Sequence, residues 1–178
     1  MRAVEANGAG AVKLYLLNHD TAKSNGLSGE AFDAAAAEAK RQKLRALVHV
    51  ESAADFRRAV RAGVAGIVHT PYAQPSTALP AANYLLTAAD AAAARAAGVV
   101  VPTLNPPLAT LDGEKLAAVR DVQRRNLLLL RDAGVPLALG ADSQSSDMHD
   151  ELTPLRGFTL FDGAAVLRMA TAHGARLT

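Results

Sequence analysis

The sequence predicts an α/β fold of consecutive parallel strands, each followed by a helix, and three observations predict it. Residues 44–70 read LRALVHV, ESAADFRRAVRAG and VAGIVHT: an apolar run with a histidine near its end, a helical pattern, and a second such run. Short apolar runs of this kind are what parallel strands covered on both faces look like. The same alternation of strand and helix continues on either side of this stretch, the pattern of α/β folds. Glycines stand where the helical patterns stop, at Gly63, Gly98 and Gly134.

Taken in order, residues 1–8 read as the tail of a helix closed by Gly8 or Gly10. AVKLYLL (11–17) is a strand whose polar residues Lys13 and Tyr15 share one face. NHDTAKSNGLS (18–28) is a loop long enough to cover a site. Ser28 is an N-cap for a helix over 29–42. A strand over 44–50 leads to a helix over 53–62 closed by Gly63, and a third strand covers 65–70. PYAQPSTALP is a Pro-rich loop directly after His69. Thr87 caps a helix over 87–97 that Gly98 ends. GVVVPTL is the fourth strand, followed by the loop NPPLATLDG. Residues 114–133 form a long amphipathic helix ended by Gly134. GVPLALGADS is the fifth strand with Asp142 at its end, and QSSDMHDELTPLRG is a loop or short helix in which Asp147, Asp150 and Glu151 mark a helix start. Residues 162–177 form a closing helix.

Composition excludes several functions. The chain has 178 residues, half of them hydrophobic, enough for one domain with a real core. The net charge is only +2 and there is no basic block, while aromatics make up 4%. Nucleic acid is therefore not an expected partner. Cysteine is absent, which removes disulfides, thiolate nucleophiles and thiolate-held zinc. No apolar run approaches the ~18 residues of a membrane span, and no secretory signal opens the chain. The cytoplasm is the expected location. About five strand–helix units are too few for a barrel of eight units and ~250 residues. They make either an open doubly wound sheet or the later part of a larger barrel.

The residues at the strand ends carry the functional expectation. Lys13, His49, His69 and Asp142 all lie in or just past apolar runs. Lysine, imidazole and carboxylate are costly to bury unpaired. In a β/α barrel such groups meet at the C-terminal rim of the strands, where chemistry is done. Without sulfur, a nitrogen–oxygen site for Zn, Mn or Fe is what they offer. Each alone also has an ordinary structural role: a strand-end histidine as a hydrogen-bonded core residue, Asp142 as a helix cap, Lys13 as a charge reaching into solvent. Their recurrence at successive strand ends is what singles them out.

The ordered set VKLYL, LVHV, IVHT, VVVPTL, VPLALGADS and MATAHGARL resembles the later strands of the amidohydrolase superfamily, most of all its imidazolonepropionase-like and prolidase-like branch. The resemblance implies an α/β fold that is a partial (β/α)8 barrel of the TIM type, roughly strands four to eight, as a single incomplete domain over 1–178. It implies one or two divalent ions, zinc first, held by His49, His69 and Asp142, with Lys13 at the position of a carboxylated lysine that bridges two metals. Asp142 and His69 become the catalytic residues: Asp142 accepts a proton from water and passes it to the leaving nitrogen, and His69 ligates metal or hydrogen-bonds the developing oxyanion. Tyr15 and Tyr72 become substrate contacts. The implied reaction is hydrolysis of an amide or cyclic amide C–N bond in a small molecule.

The sequence departs from that family in ways that matter. No His-x-His pair is present, since the histidines are His19, His49, His69, His149 and His173. In the family that pair sits on the first strand and supplies two ligands. The first three strands and the family's small β-sandwich have no counterpart either, and His173 stands where asparagine is usual. A truncated chain, inactive alone and prone to pair with a second copy through open barrel edges, is the expectation. Two rivals remain: a non-catalytic remnant that serves as an interaction domain, and an unrelated β/α enzyme. A phosphate-binding barrel finds only the poor candidate GADSQSSD. His19 reads as solvated. His149 has at most a minor part in contacting substrate or orienting its loop.

Overall fold

The computed structural model describes residues 8–17, 26–71, 80–104, 111, 113–142 and 147–177. The expected helix tail over 1–8, the loop bearing His19, and most of the loop bearing Tyr72 lie outside these residues.

Four strands form as the apolar runs predict: β1 (Ala11–Tyr15), β2 (Arg45–His49), β3 (Gly66–Val68) and β4 (Val99–Val101). They make one parallel sheet in the order β1-β2-β3-β4. This order runs without reversal. A doubly wound sheet reverses at its switch point, so it is excluded for these strands. Strand-to-strand crossovers are right-handed, which keeps successive helices on the same face of such a sheet.

The expected fifth strand is reduced to a single parallel bridge between Val100 and Leu137. Val100 N donates to the Pro136 carbonyl and Ala138 N to the Val100 carbonyl, both at 2.9 Å. Pro136 has no N–H to extend the ladder. Leu139 N turns instead to the Met169 carbonyl at 3.2 Å.

Local chemistry sets the helices. In α1 (Gly29–Arg41) the Ser28 hydroxyl accepts from Ala31 N, with Glu30 in the first turn and Lys40 and Arg41 in the last, as the helix dipole favours. In α2 (Ala53–Ala62), Ser52 and Asp55 form a reciprocal capping box, and Gly63 closes the helix at φ +65°. Thr87 and Asp90 form the same box on α3 (Ala88–Ala94). That helix stops short of the expected end at residue 97. The long helix α4 (Gly113–Asp132) buries Val119, Val122, Gln123, Asn126, Leu127 and Leu130, a stripe at helical period. The stretch read as a loop or short helix is α5 (Met148–Gly157), capped by Asp147 with Asp150. Its cap is thus Asp147 and not Asp142. The closing helix begins as α6 (Gly163–Arg168) under an Asp162 cap, widens to a π turn over Met169–His173 and tightens to a 3-10 turn over Gly174–Leu177.

The two faces of the sheet differ. Leu14 and Leu16 of the β1 run, and Ala46, Val48 and Val50 of the β2 run, are buried in one cluster with Phe32, Phe56, Ala59 and Leu130. Burying each larger apolar side chain is worth roughly 1.5–3 kcal/mol, so this face holds the fold. The alternating residues Lys13 and Tyr15 are exposed, while Leu47 and His49 are half-buried. No helix among the described residues is long and apolar enough to cross a membrane.

Candidate metal centre

Strand register brings the strand ends to one level. Tyr15 pairs with His49, His49 with Val68, and Val68 with Val101. His69 follows directly on β3. The Leu137 bridge, beside β4, starts the run that ends in Asp142. Lys13, Tyr15 and His49 alternate onto the sheet's less covered face.

The geometry that results is a chain of close contacts. Lys13 Nζ lies 5.2 Å from the Tyr15 ring centroid. The Tyr15 and His49 rings are 5.3 Å apart, and the His49 and His69 rings meet edge-on at 4.2 Å. His69 Nε2 is 3.4 Å from Asp142 Oδ2. The structure therefore gathers Lys13, Tyr15, His49, His69 and Asp142 at one rim. Tyr72 lies outside the described residues. His149 is exposed in the first turn of α5. His173 sits far along the chain's last turns and bonds the Leu137 carbonyl through Nδ1 at 2.7 Å, tying the fifth run in place.

Each imidazole has a partner at one nitrogen. His49 Nε2 meets Glu51 Oε1 at 2.9 Å. A carboxylate only accepts, so the His49 proton lies on Nε2, and in the neutral ring Nδ1 keeps the lone pair. His69 Nδ1 meets the hydroxyl of Thr103, while its Nε2 is buried without a hydrogen bond. A hydrogen bond that fixes one nitrogen, with the other turned to a site, is how metal-binding histidines are held.

Electrostatics keep the His69 imidazole neutral. Burial, then His49 and Lys13, push the His69 pKa down to about 3, so the ring is neutral and free to ligate at ordinary pH. Partial desolvation at the rim also holds the amine of the otherwise exposed Lys13 below its usual value, with Asp142 pulling the other way. His69 and Asp142 both occupy left-handed backbone, at φ +73° and +44°, as does Thr103 at +46°. Non-glycine residues in that region store strain and concentrate at functional sites.

A divalent cation fits these donors, because a buried Nε2 with no hydrogen bond faces a carboxylate oxygen. The fit is incomplete: among the described residues no three His, Asp or Glu side chains stand assembled to hold a metal ion. His69 is shared by two pairs, one with His49 and one with Asp142. Beside them an open hollow of about 400 Å³ is lined by Lys13, Leu14, Tyr15, Leu17, Gly26 and Leu27.

Three residues escaped the sequence reading. Glu51 follows LVHV directly and was readable as a partner for His49. Thr103 carried no signal and Glu151 only that of a helix start, because their contacts cross tens of residues. Glu151 is fully buried. Its two oxygens accept from Leu104 N at 2.7 and 2.8 Å, beside the half-buried Arg120, whose guanidinium reaches the Leu104 carbonyl at 2.8 Å.

No family model matches the chain, and no curated protein matches it. Solved structures do. An amidohydrolase superposes with a TM-score of 0.69 at 27% identity over 99% of this chain and 45% of its own. A prolidase complexed with N-methylphosphonate-L-proline gives 0.69 at 24% identity, covering 99% and 44%. The ochratoxinase of A. niger gives 0.58 at 21%, covering 97% and 42%. The chain spans under half the length of each structure.

Proposed function

We propose, from a fold shared along nearly its whole length with amidohydrolase and prolidase structures, that this chain is the later part of an amidohydrolase barrel. In this reading β1 to β4 are strands four to seven and the Leu137 run is the eighth. The unreversed strand order supports it. The function is metal-dependent hydrolysis of an amide or cyclic amide C–N bond in a small molecule. His49, His69 and Asp142 would hold the ion, with zinc the first candidate for nitrogen and oxygen donors. Lys13, once carboxylated, would bridge to a second ion.

The observation that carries this reading is the buried His69 Nε2, without a hydrogen bond, 3.4 Å from Asp142 Oδ2. When bound, a divalent cation supplies Lewis acidity toward the scissile carbonyl and toward water. The chain's own residues do the rest. Asp142 takes the proton of the attacking water at its carboxylate and returns it to the leaving nitrogen. His49 and His69 orient the donors, each held at its second nitrogen. Tyr15 beside the open hollow contacts substrate, and Tyr72 is assigned the same role.

A second reading, a non-catalytic remnant, is favoured by one observation: the chain has no His-x-His, and the described residues assemble no three-ligand cage. Calorimetric titration of zinc into the chain separates the two. A weak but saturable site, lost in His69→Asn and in Asp142→Asn, is expected. No saturable binding, or binding indifferent to both substitutions, favours the remnant.

A further inference from the structure

The His69 imidazole reaches the rim with two tautomers open to it, and its surroundings pull in opposite directions. Asp142 Oδ2, 3.4 Å from Nε2, favours a proton on Nε2, since a charge-assisted hydrogen bond would form as the contact shortened. Such a ring cannot ligate through Nε2. On the other side stands Thr103. Its hydroxyl has one proton to give, and that proton goes to the Pro102 carbonyl at 2.8 Å. Toward His69 Nδ1 the Thr103 oxygen is left to accept. The opposite polarity would set hydroxyl lone pairs against the carbonyl oxygen of Pro102.

We propose that Thr103 is a positioning residue that holds His69 with its proton on Nδ1, so that Nε2 is presented bare to a divalent cation. The cation in this statement rests on the function proposed above; the tautomer does not.

The fold spends structure on aiming this hydroxyl. Thr103 is β-branched and sits at φ +46°, a conformation such residues adopt only under constraint. The constraint is visible on both sides. Pro102 O accepts from Thr70 N at 3.2 Å, which ties the residue before Thr103 to the one after His69. The buried carboxylate of Glu151, from α5, grips Leu104 N with both oxygens, which ties down the residue after. A buried carboxylate is costly unless satisfied, and part of what satisfies Glu151 is the Leu104 amide, directly after Thr103.

The test is nitrogen NMR of the metal-free chain labelled in histidine, with the His69 signals identified by their loss in His69→Asn. The wild type and Thr103→Ser should both carry the proton on Nδ1. Thr103→Val keeps the β-branch and its backbone strain but cannot accept, and the proton should move to Nε2. A wild-type proton on Nε2, or a Thr103→Val chain with its proton still on Nδ1, overturns the assignment. Should Thr103→Val not fold, the wild-type and Thr103→Ser tautomers decide alone. Zinc titration adds a second readout: Thr103→Val should weaken binding about 10–100-fold, as losing the hydrogen-bond partner of a ligating histidine does, and Thr103→Ser should restore it. Equal zinc affinity in wild type and Thr103→Val defeats the positioning role. A tautomer that follows Thr103 in chains that never bind zinc leaves the assignment standing and defeats the proposed function instead.

Discussion

Lys13 offers the clearest test of sign at the rim. Partial desolvation holds its amine below the usual lysine value, against the pull of Asp142, and so raises the deprotonated fraction that carboxylation needs. An ammonium repels a divalent cation, whereas a carbamate attracts it. In bicarbonate buffer Lys13→Ala should therefore weaken zinc binding about tenfold, on the scale of a lost ligand or its partner, and Lys13→Glu should keep part of the affinity. If Lys13→Ala binds zinc more tightly than the wild type, the side chain is a cation there and the bridging role fails. Asn126 provides a second prediction at this scale. Its fully buried amide accepts from Leu86 N at 2.9 Å and donates to the Pro71 and Tyr84 carbonyls at 2.8 and 2.9 Å. Asn126→Ala removes all three hydrogen bonds and should cost about 3 kcal/mol; a denaturant midpoint within error of wild type would refute it. His49, His69 and Asp142 were legible in the sequence because polar residues at the ends of apolar runs are conspicuous. The parts played by Thr103 and Glu151 were not, because one acts through left-handed backbone and the other, read only as part of a helix start, through burial against Leu104 N.

At the level of elements, caps and periodicity were readable and lengths were not. Ser28, Thr87, Gly63 and Gly134 stand where the sequence places them, since N-caps and left-handed glycines are local chemistry. The fifth strand fell to one bridge because Pro136 has no N–H and Leu139 N bonds the Met169 carbonyl, a tertiary competition that periodicity cannot register. Gly98, at the entry to β4, shows how closely the elements approach. A Cβ there would lie 2.3 Å from the Ala65 carbonyl oxygen, which is backbone and cannot swing aside. Gly98→Ala should destabilise the fold by about 1–3 kcal/mol; a melting temperature equal to wild type would show that the backbones are not so close. Between helices, Arg57 of α2 grips Asp90 of α3 through two bonds of 2.8 Å. Arg57 first, helped by Thr87, holds the Asp90 carboxyl below the ordinary carboxylate range. A depressed carboxyl contributes stability that is present above its ordinary pKa and lost as pH falls through the lowered value. Arg57 is 40% exposed, so solvent screens the pair and Asp90→Asn should cost only about 1 kcal/mol at neutral pH. That gap should narrow in urea melts as pH falls below the ordinary carboxylate range and through the lowered value of Asp90, where the wild-type carboxyl becomes neutral too. A gap that persists unchanged in acid would mean that the pair is not its source.

For the whole molecule the decisive feature is that, among the described residues, β1 is bare on one face and open along one edge, whereas Leu177 packs over Val99 and Val101 farther along that face. The helices pack on the face of Leu14, Leu16, Val48 and Val50, while Lys13 and Tyr15 stand exposed on the other. The order of strands puts β1 at the end of the sheet. Leu16 N donates to the His49 carbonyl at 2.9 Å and Arg45 N to the Gly10 carbonyl at 3.1 Å. In a parallel ladder this alternation turns the N–H groups of Ala11, Lys13 and Tyr15 away from β2. Leu27 N covers the far end by donating to the Tyr15 carbonyl at 2.9 Å, so among the described residues the uncovered stretch begins at Ala11. An open edge beside an exposed face invites pairing with another copy. Light scattering across a dilution series should find the chain self-associated, with the mass falling on dilution. Ala11→Pro removes an outward N–H at the first residue of the strand, where proline is tolerated, and leaves the β1–β2 ladder intact. It should lower the associated fraction while the circular dichroism of the dilute chain stays that of wild type. Association that Ala11→Pro leaves untouched would move the contact to the Lys13–Tyr15 face, and a monomer at every concentration would remove it altogether.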